Sequence, residues 1–269
     1  MHHSSPTSSY PSASLPRTLQ RPQFHEVSTR TMAAIAPDLA GVPIEYVKRQ
    51  VVSAARQMMT GTAALTIPST MRQSHLPAQL NVGCRPTTGA AYPTHLLAIG
   101  PSKLTSADQT LILVPTHALV FATHCPRAPA LDASAPSPSG NALPLHVVRM
   151  SVPSPAAFSI LHAYMYTHRS DAVMQALLPS LPASAIGPLR TREAILGALG
   201  SGQTKHQLAV NIAYAEAYNL SRLSAYAAHV KEVWQDMVSL GMCDAQLWDT
   251  IDLCWEIVLA SLNLAIARR

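Results

Sequence analysis

The chain has 269 residues, 48% of them hydrophobic and 12% charged, which is enough apolar surface for a sizeable core and excludes a wholly disordered protein. The formal charge of +5 is spread out, with Lys48-Arg49 and Arg268-Arg269 the basic doublets and residues 205–269 richer in acid than in base. Nucleic-acid binders gather Lys/Arg on one face, often between stacking aromatics, so direct nucleic-acid binding is not expected.

Residues 1–35 are dominated by Ser, Thr and Pro and read as a disordered tail, with Ser5-Pro6 as a proline-directed phosphorylation site. This stretch lacks the apolar core of a signal peptide. Arg17 and Arg21 precede any acidic residue, as in a mitochondrial presequence, but the prolines spoil an amphipathic helix there. Residues 36–91 read as one amphipathic helix and a loop. Ile44, Val47, Val51, Ala54, Ala55 and Met58 recur at helical spacing over 43–59, Gly61 reads as lying past the helix end, and Lys48, Arg49 and Arg56 fall on a solvated face. From 66 to 93 the composition turns to Pro, Ser, Thr and Gly, which predicts a loop.

Two short apolar runs, 95–99 and 110–114, are separated by Gly100-Pro101 and a polar loop and predict a hairpin. The triplet Pro-Thr-His occurs at 93–95 and again at 115–117, with no wider match to make it a repeat. The second strand runs through Pro115 and Thr116 into an apolar helix carrying His117, Val120, Phe121, His124 and Cys125, with Thr116 as the expected cap. Prolines at 126, 129, 136, 138 and 144 make 126–144 an insertion loop. A third apolar run ends at Val152, Ser154-Pro155 predicts an N-cap and first helical turn, and Phe158, Leu161, Tyr164 and Met165 give that helix its apolar face.

Further helices are predicted over 171–178, 191–199, 205–218, 221–238 and 244–267. The last has Leu247, Ile251, Cys254, Trp255, Val258, Leu262 and Ile266 at a-and-d-like spacing. Its apolar run from 253 contains Glu256 and Asn263 and is shorter than the about 20 residues of a membrane span, so no membrane contact is expected. Trp248, Trp255 and Leu262 on this helix form the candidate interaction surface, with simple core packing as the alternative.

His117, His124 and Cys125 are the residues with chemical potential. They come with no glycine elbow, no paired carboxylates and no phosphate loop, so no enzyme activity is expected. The four cysteines are scattered without a Cys-x-x-Cys pair, which excludes a typical zinc module; neither metal nor cofactor is expected, and the thiols suit a reduced intracellular chain, in nucleus or cytoplasm. A metal-dependent hydrolase built on His117, His124 and Cys125 is the enzyme-class alternative.

The order of these pieces carries a resemblance. A strand followed by 114–125, then 147–158, then a helix ending in Tyr166-Thr167, and finally Ala215, Tyr218, Leu220 and Leu223, resembles the BTB/POZ fold, whose signature residues here are His117, Val120, Phe121, Cys125, Tyr166, Tyr218 and Leu223. More narrowly, 114–125 together with 152–155 and 163–169 is similar to the clampless protein family of basidiomycete fungi, over roughly 92–240. The resemblance implies an α+β fold, mostly helical, with a small sheet against a helical cluster: a BTB/POZ-like domain over 92–240 and a C-terminal helix, 241–269, packed on it. It implies a non-enzymatic regulator of mating-type-controlled development, needed for clamp cells and dikaryotic growth, whose partners are regulatory proteins such as transcription factors. A BTB-type substrate adaptor for ubiquitin ligation is the alternative. The acidic residue expected before the first strand is missing, and the 126–144 loop replaces the segment that often contacts cullins, which speaks against cullin recruitment and the usual BTB dimer.

Overall fold

A computed structural model describes residues 15–23, 26–103, 108–133 and 136–268. In chain order it contains α1 (Thr29–Ile35), α2 (Ile44–Ala63), β1 (Leu65–Thr66), β2 (Thr70–Arg72), β3 (Gln79–Cys84), β4 (His95–Pro101), β5 (Thr110–Thr116), α3 (Ala118–His124) and β6 (Ala142–Val152). The helices α4 (Pro155–Thr167), α5 (Ser170–Leu177), α6 (Ala183–Ile186), α7 (Arg192–Gly200), α8 (Gly202–Ala215), α9 (Leu220–Leu240) and α10 (Ala245–Ala267) follow. The class is α+β; the hairpin and the helices other than α1 and the one-turn α6 stand close to where the periodicities put them.

The sheet is six-stranded in the order β1-β3-β6-β4-β5-β2. β4 and β5 form the antiparallel hairpin, with Leu97 opposite Val114, and β6 joins β4 in parallel, with Leu97 opposite Val148. The continuous apolar run of β4 follows from that central position, since both faces of a central strand are covered. β1 pairs with one edge and β2 with the other, yet only residues 67–69 separate them. The sheet therefore curls until its edges approach, and its inner face encloses Val82, Leu96, Ala98, Leu113, Leu143 and Leu145 in a core of strand residues. Leu97, Ile99, Met150 and Val152 point the other way, into the main core under the helices.

α10 is the axis of the helical layer, packed by α5, α7, α8 and α9, while α9 also lies on α4. The starts of α7, α8, α9 and α10 carry side-chain caps; Asn219, for example, accepts from the Arg222 amide and Asp244 from the Leu247 amide. By length and composition α10 passes as a membrane span, but most of its apolar residues face this protein core.

Several expectations need correction. Of the tail expected over 1–35, residues 1–14 and 24–25, including Ser5-Pro6, lie outside the described residues; 15–23 form an extended strap on α9 and α10, and 29–35 are α1. The loop expected over 66–93 holds β2 and β3, whose brevity leaves little periodicity to read. Gly61 lies inside α2, where a Cβ would stand 1.8 Å from the Ala91 carbonyl oxygen. Only a glycine admits that approach. Lys48 is more covered than a solvated face implies, its side chain 17% exposed, although it pairs with the exposed Glu45. Thr116 does not cap α3; the Ala118 amide donates instead to Thr94 Oγ1 at 2.8 Å. Ser154 occupies the cap position of α4 without a capping bond from its side chain, which donates to Glu232.

Candidate functional site

The strand-to-helix corner at 114–125 is built by β5 and α3 and closed by α4 and the 91–95 segment. His117 sits at the N-cap position of α3 with extended backbone, and both its ring nitrogens are occupied. Nε2 lies 3.1 Å from the Ala91 carbonyl oxygen, which can only accept, so the proton resides on Nε2. Nδ1 then accepts from the Tyr166 hydroxyl at 2.9 Å, and the same hydroxyl accepts from the His117 amide at 3.1 Å. Burial pushes His117 down and the Tyr166 phenol up, so both stay neutral. His162 completes the corner by reaching Thr116 Oγ1 at 3.1 Å. The two Pro-Thr-His triplets, unrelated as a repeat, meet here: His95 faces Thr116 across the hairpin and Thr94 caps α3.

A second chain of contacts starts one helical stretch later. His124 Nδ1 donates to the Val120 carbonyl at 2.8 Å, which leaves Nε2 to accept from His168 Nε2 at 2.8 Å. His168 stacks on Tyr164 and turns its Nδ1 toward Asp244 at 3.9 Å; Asp244 accepts from the Tyr164 hydroxyl at 2.8 Å. His168 takes the left-handed conformation that ends α4, a position His tolerates better than most residues. Burial holds His124 at about 4 and His168 below the usual imidazole range. A cavity of about 250 Å³ opens beside this chain, lined by Glu45, Lys48, His124, Cys243 and Asp244 among others.

His117, His124 and Cys125 are not brought together around one point. His117 bridges to Ala91 and Tyr166, His124 to His168, and Cys125 lies against the Met165 sulfur at 4.0 Å with burial pushing its thiol far up. Such a thiol is not a nucleophile. Among the described residues no group of three or more His, Cys, Asp or Glu side chains could hold a metal ion.

Of the other signature residues, Val120, Phe121, Tyr166 and Leu223 are buried in the main core, where Phe121 shares the cluster with Leu161 and Met165. Tyr218 is on the rim instead, past the end of α8 with a positive φ, and the Arg268 guanidinium lies 4.2 Å over its ring. The expected interaction surface is corrected outright: Trp248, Trp255 and Leu262 are 4%, 1% and 8% exposed. The a-and-d-like spacing marked a helix buried on most sides, because α5, α7, α8 and α9 surround it.

What the sequence did not disclose is what covers Trp255. Its indole N–H donates to the Pro16 carbonyl at 3.1 Å, and that of Trp234 donates to the Gln20 carbonyl at 2.9 Å. Leu19 between them is 6% exposed and belongs to the main core. Arg21 then pairs with Asp249 at 2.7 Å and with Asp252; Asp249 also holds Arg192 at 2.7 Å. The one available sequence signal was an apolar residue and an arginine in a polar stretch, facing the acidic excess of the C-terminal helix.

No curated protein and no solved structure matches the chain. Residues 22–153 match the Clampless protein 1 N-terminal domain, and residues 171–269 match the Clampless protein 1 C-terminal domain. The junction between the two matches contains α4, the helix that closes the corner, and both stretches follow in the family's order. The chain belongs to the clampless protein 1 family, whose membership ties it to clamp formation in fungal sexual development.

Proposed function

We propose that the protein is a non-enzymatic regulator of fungal sexual development, serving clamp-cell formation and dikaryotic growth under mating-type control through contacts with other regulatory proteins, transcription factors among them. The family match supports the developmental part. The observation that carries the non-enzymatic part is the use of His117, whose ring nitrogens are both engaged inside the fold while Cys125 is sealed in the core. The hairpin, helix, strand and helix of β4, β5, α3, β6 and α4, in the order the BTB/POZ resemblance implies, support an interaction module.

Affinity purification of the tagged protein from mating cells tests this. Recovery of regulatory proteins together with restored clamp formation in a strain lacking the gene is the expected result. Recovery of metabolic enzymes alone would overturn it, and stoichiometric capture of a cullin would move the protein to the substrate-adaptor class.

A further inference from the structure

The strap at residues 16–21 lies in a groove between α9 and α10, and what holds it reads very little of its sequence. The two indole N–H groups of Trp255 and Trp234 bind main-chain carbonyls, which every residue offers. Arg17, Thr18 and Gln20 are exposed and the groove takes in one apolar side chain, Leu19, while Arg21, its side chain 41% exposed, pairs with carboxylates at the groove's rim. Asp249, Asp252 and Glu256 are spaced along α10 so that they share a face. Asp249 keeps Arg192 and Glu256 keeps Lys205 as partners, whereas Asp252 has its ion pair with Arg21. Trp234, Asp249, Asp252 and Trp255 fall inside the matched C-terminal domain, and the strap precedes residue 22, where the first match begins. The groove residues thus lie inside a family match and the strap lies just ahead of one.

We propose that this groove is a docking site for an extended segment of a partner protein with an apolar residue two positions before an arginine, and that residues 16–21 fill it in cis until such a segment displaces them. The recognition mode is main-chain capture with one apolar pocket and one charge contact at the rim, a way of reading short extended motifs. Because the occupant is tethered, it competes at high effective concentration, and the groove opens only to a partner of higher affinity or raised local concentration. The inference rests on the interaction reading above.

The test uses the full chain and a fluorescein-labelled peptide with the sequence of residues 14–23, followed by fluorescence anisotropy. A Leu19→Ser, Arg21→Glu double variant, which releases the strap, is expected to bind the peptide at least tenfold more tightly than wild type. Adding Trp255→Phe and Asp252→Asn to the released variant is expected to weaken binding at least tenfold, as is an Arg21→Glu change in the peptide. The idea is overturned if the released variant, folded by circular dichroism, ignores the peptide or binds the Arg21→Glu peptide equally well. It is also overturned if both the double variant and the milder Arg21→Gln fail to fold, since the strap is then integral to the core. Strap exchange into a dimer, seen by size-exclusion chromatography, would assign the groove to a second copy and overturn the partner reading. Peptide binding involves no mating assay, so its failure leaves the developmental role intact, and failure of complementation leaves the groove intact.

Discussion

His117 connects three segments that are far apart in the chain: the end of β5, the 91 carbonyl and α4. Replacing it with alanine leaves the Ala91 oxygen and the Tyr166 hydroxyl short of a partner in a buried corner, and each such loss costs about 1–3 kcal/mol. His117→Ala is therefore expected to lower unfolding free energy by about 3 kcal/mol in urea titration, and an unchanged midpoint would make the corner ordinary packing. Gly61 offers a sharper contest of effects. On helix propensity Gly61→Ala should gain about 1 kcal/mol. Sterically it places a methyl 1.8 Å from a backbone oxygen that Ala91 holds by its own amide bond to Gln57, so the helix and the 91 segment must separate. We expect net destabilisation of at least about 2 kcal/mol, read as a lower melting temperature. Neither feature was legible beforehand: a glycine inside a helix and one past its end look alike in sequence, and what distinguishes them is a carbonyl from a distant loop. The choice of Thr94 over Thr116 as cap has the same cause, since it depends on hairpin register.

Between elements, α9 holds the start of α4 through one carboxylate. Asp236 Oδ1 accepts from the Ser154 amide at 2.8 Å, while Oδ2 is buried without a partner among the described residues. Burial lifts this carboxyl to about 7, with nearby Glu232 adding to the rise. An unfolded aspartate titrates near 3.9, so the folded chain keeps a proton that the unfolded chain has released over that interval. Stability from this group is complete below about pH 4 and is lost as the pH rises through 7. Asp236→Asn keeps the acceptor for Ser154 and cannot ionise. The difference in unfolding free energy between variant and wild type is expected to grow from near zero at pH 4 to about 4 kcal/mol in favour of the variant at pH 8. Most helices were readable because their apolar spacing and the breaks between them are local, as the α9–α10 pair separated at Gly241 shows. β1 and β2 were not, being two and three residues long and set by what they pair with. The strap escaped notice for a related reason: one leucine makes no pattern until the indoles that flank it are in view.

Across the whole molecule, buried neutral histidines set the response to acid. His95, His117, His124, His162 and His168 are all held below the ordinary imidazole range by burial, His124 and His162 to about 4. Each binds protons more readily once unfolded. Their contribution is intact above about pH 6.5 and is lost as the pH falls toward 4. Urea midpoints are expected to drop steeply between pH 7 and pH 5, and His124→Gln should shrink that drop by about 2 kcal/mol. The composition announced many histidines but not their burial, which follows from the corner and the α4 terminus meeting in one place. The curled sheet has its own consequence for how this protein meets others. A long open strand edge is a template for pairing with foreign chains and for fibrous aggregation. Here the outermost strands at the two edges are two and three residues long and joined by a short bridge, so each offers little for strand addition to extend. Strand addition at these two outermost strands is therefore disfavoured.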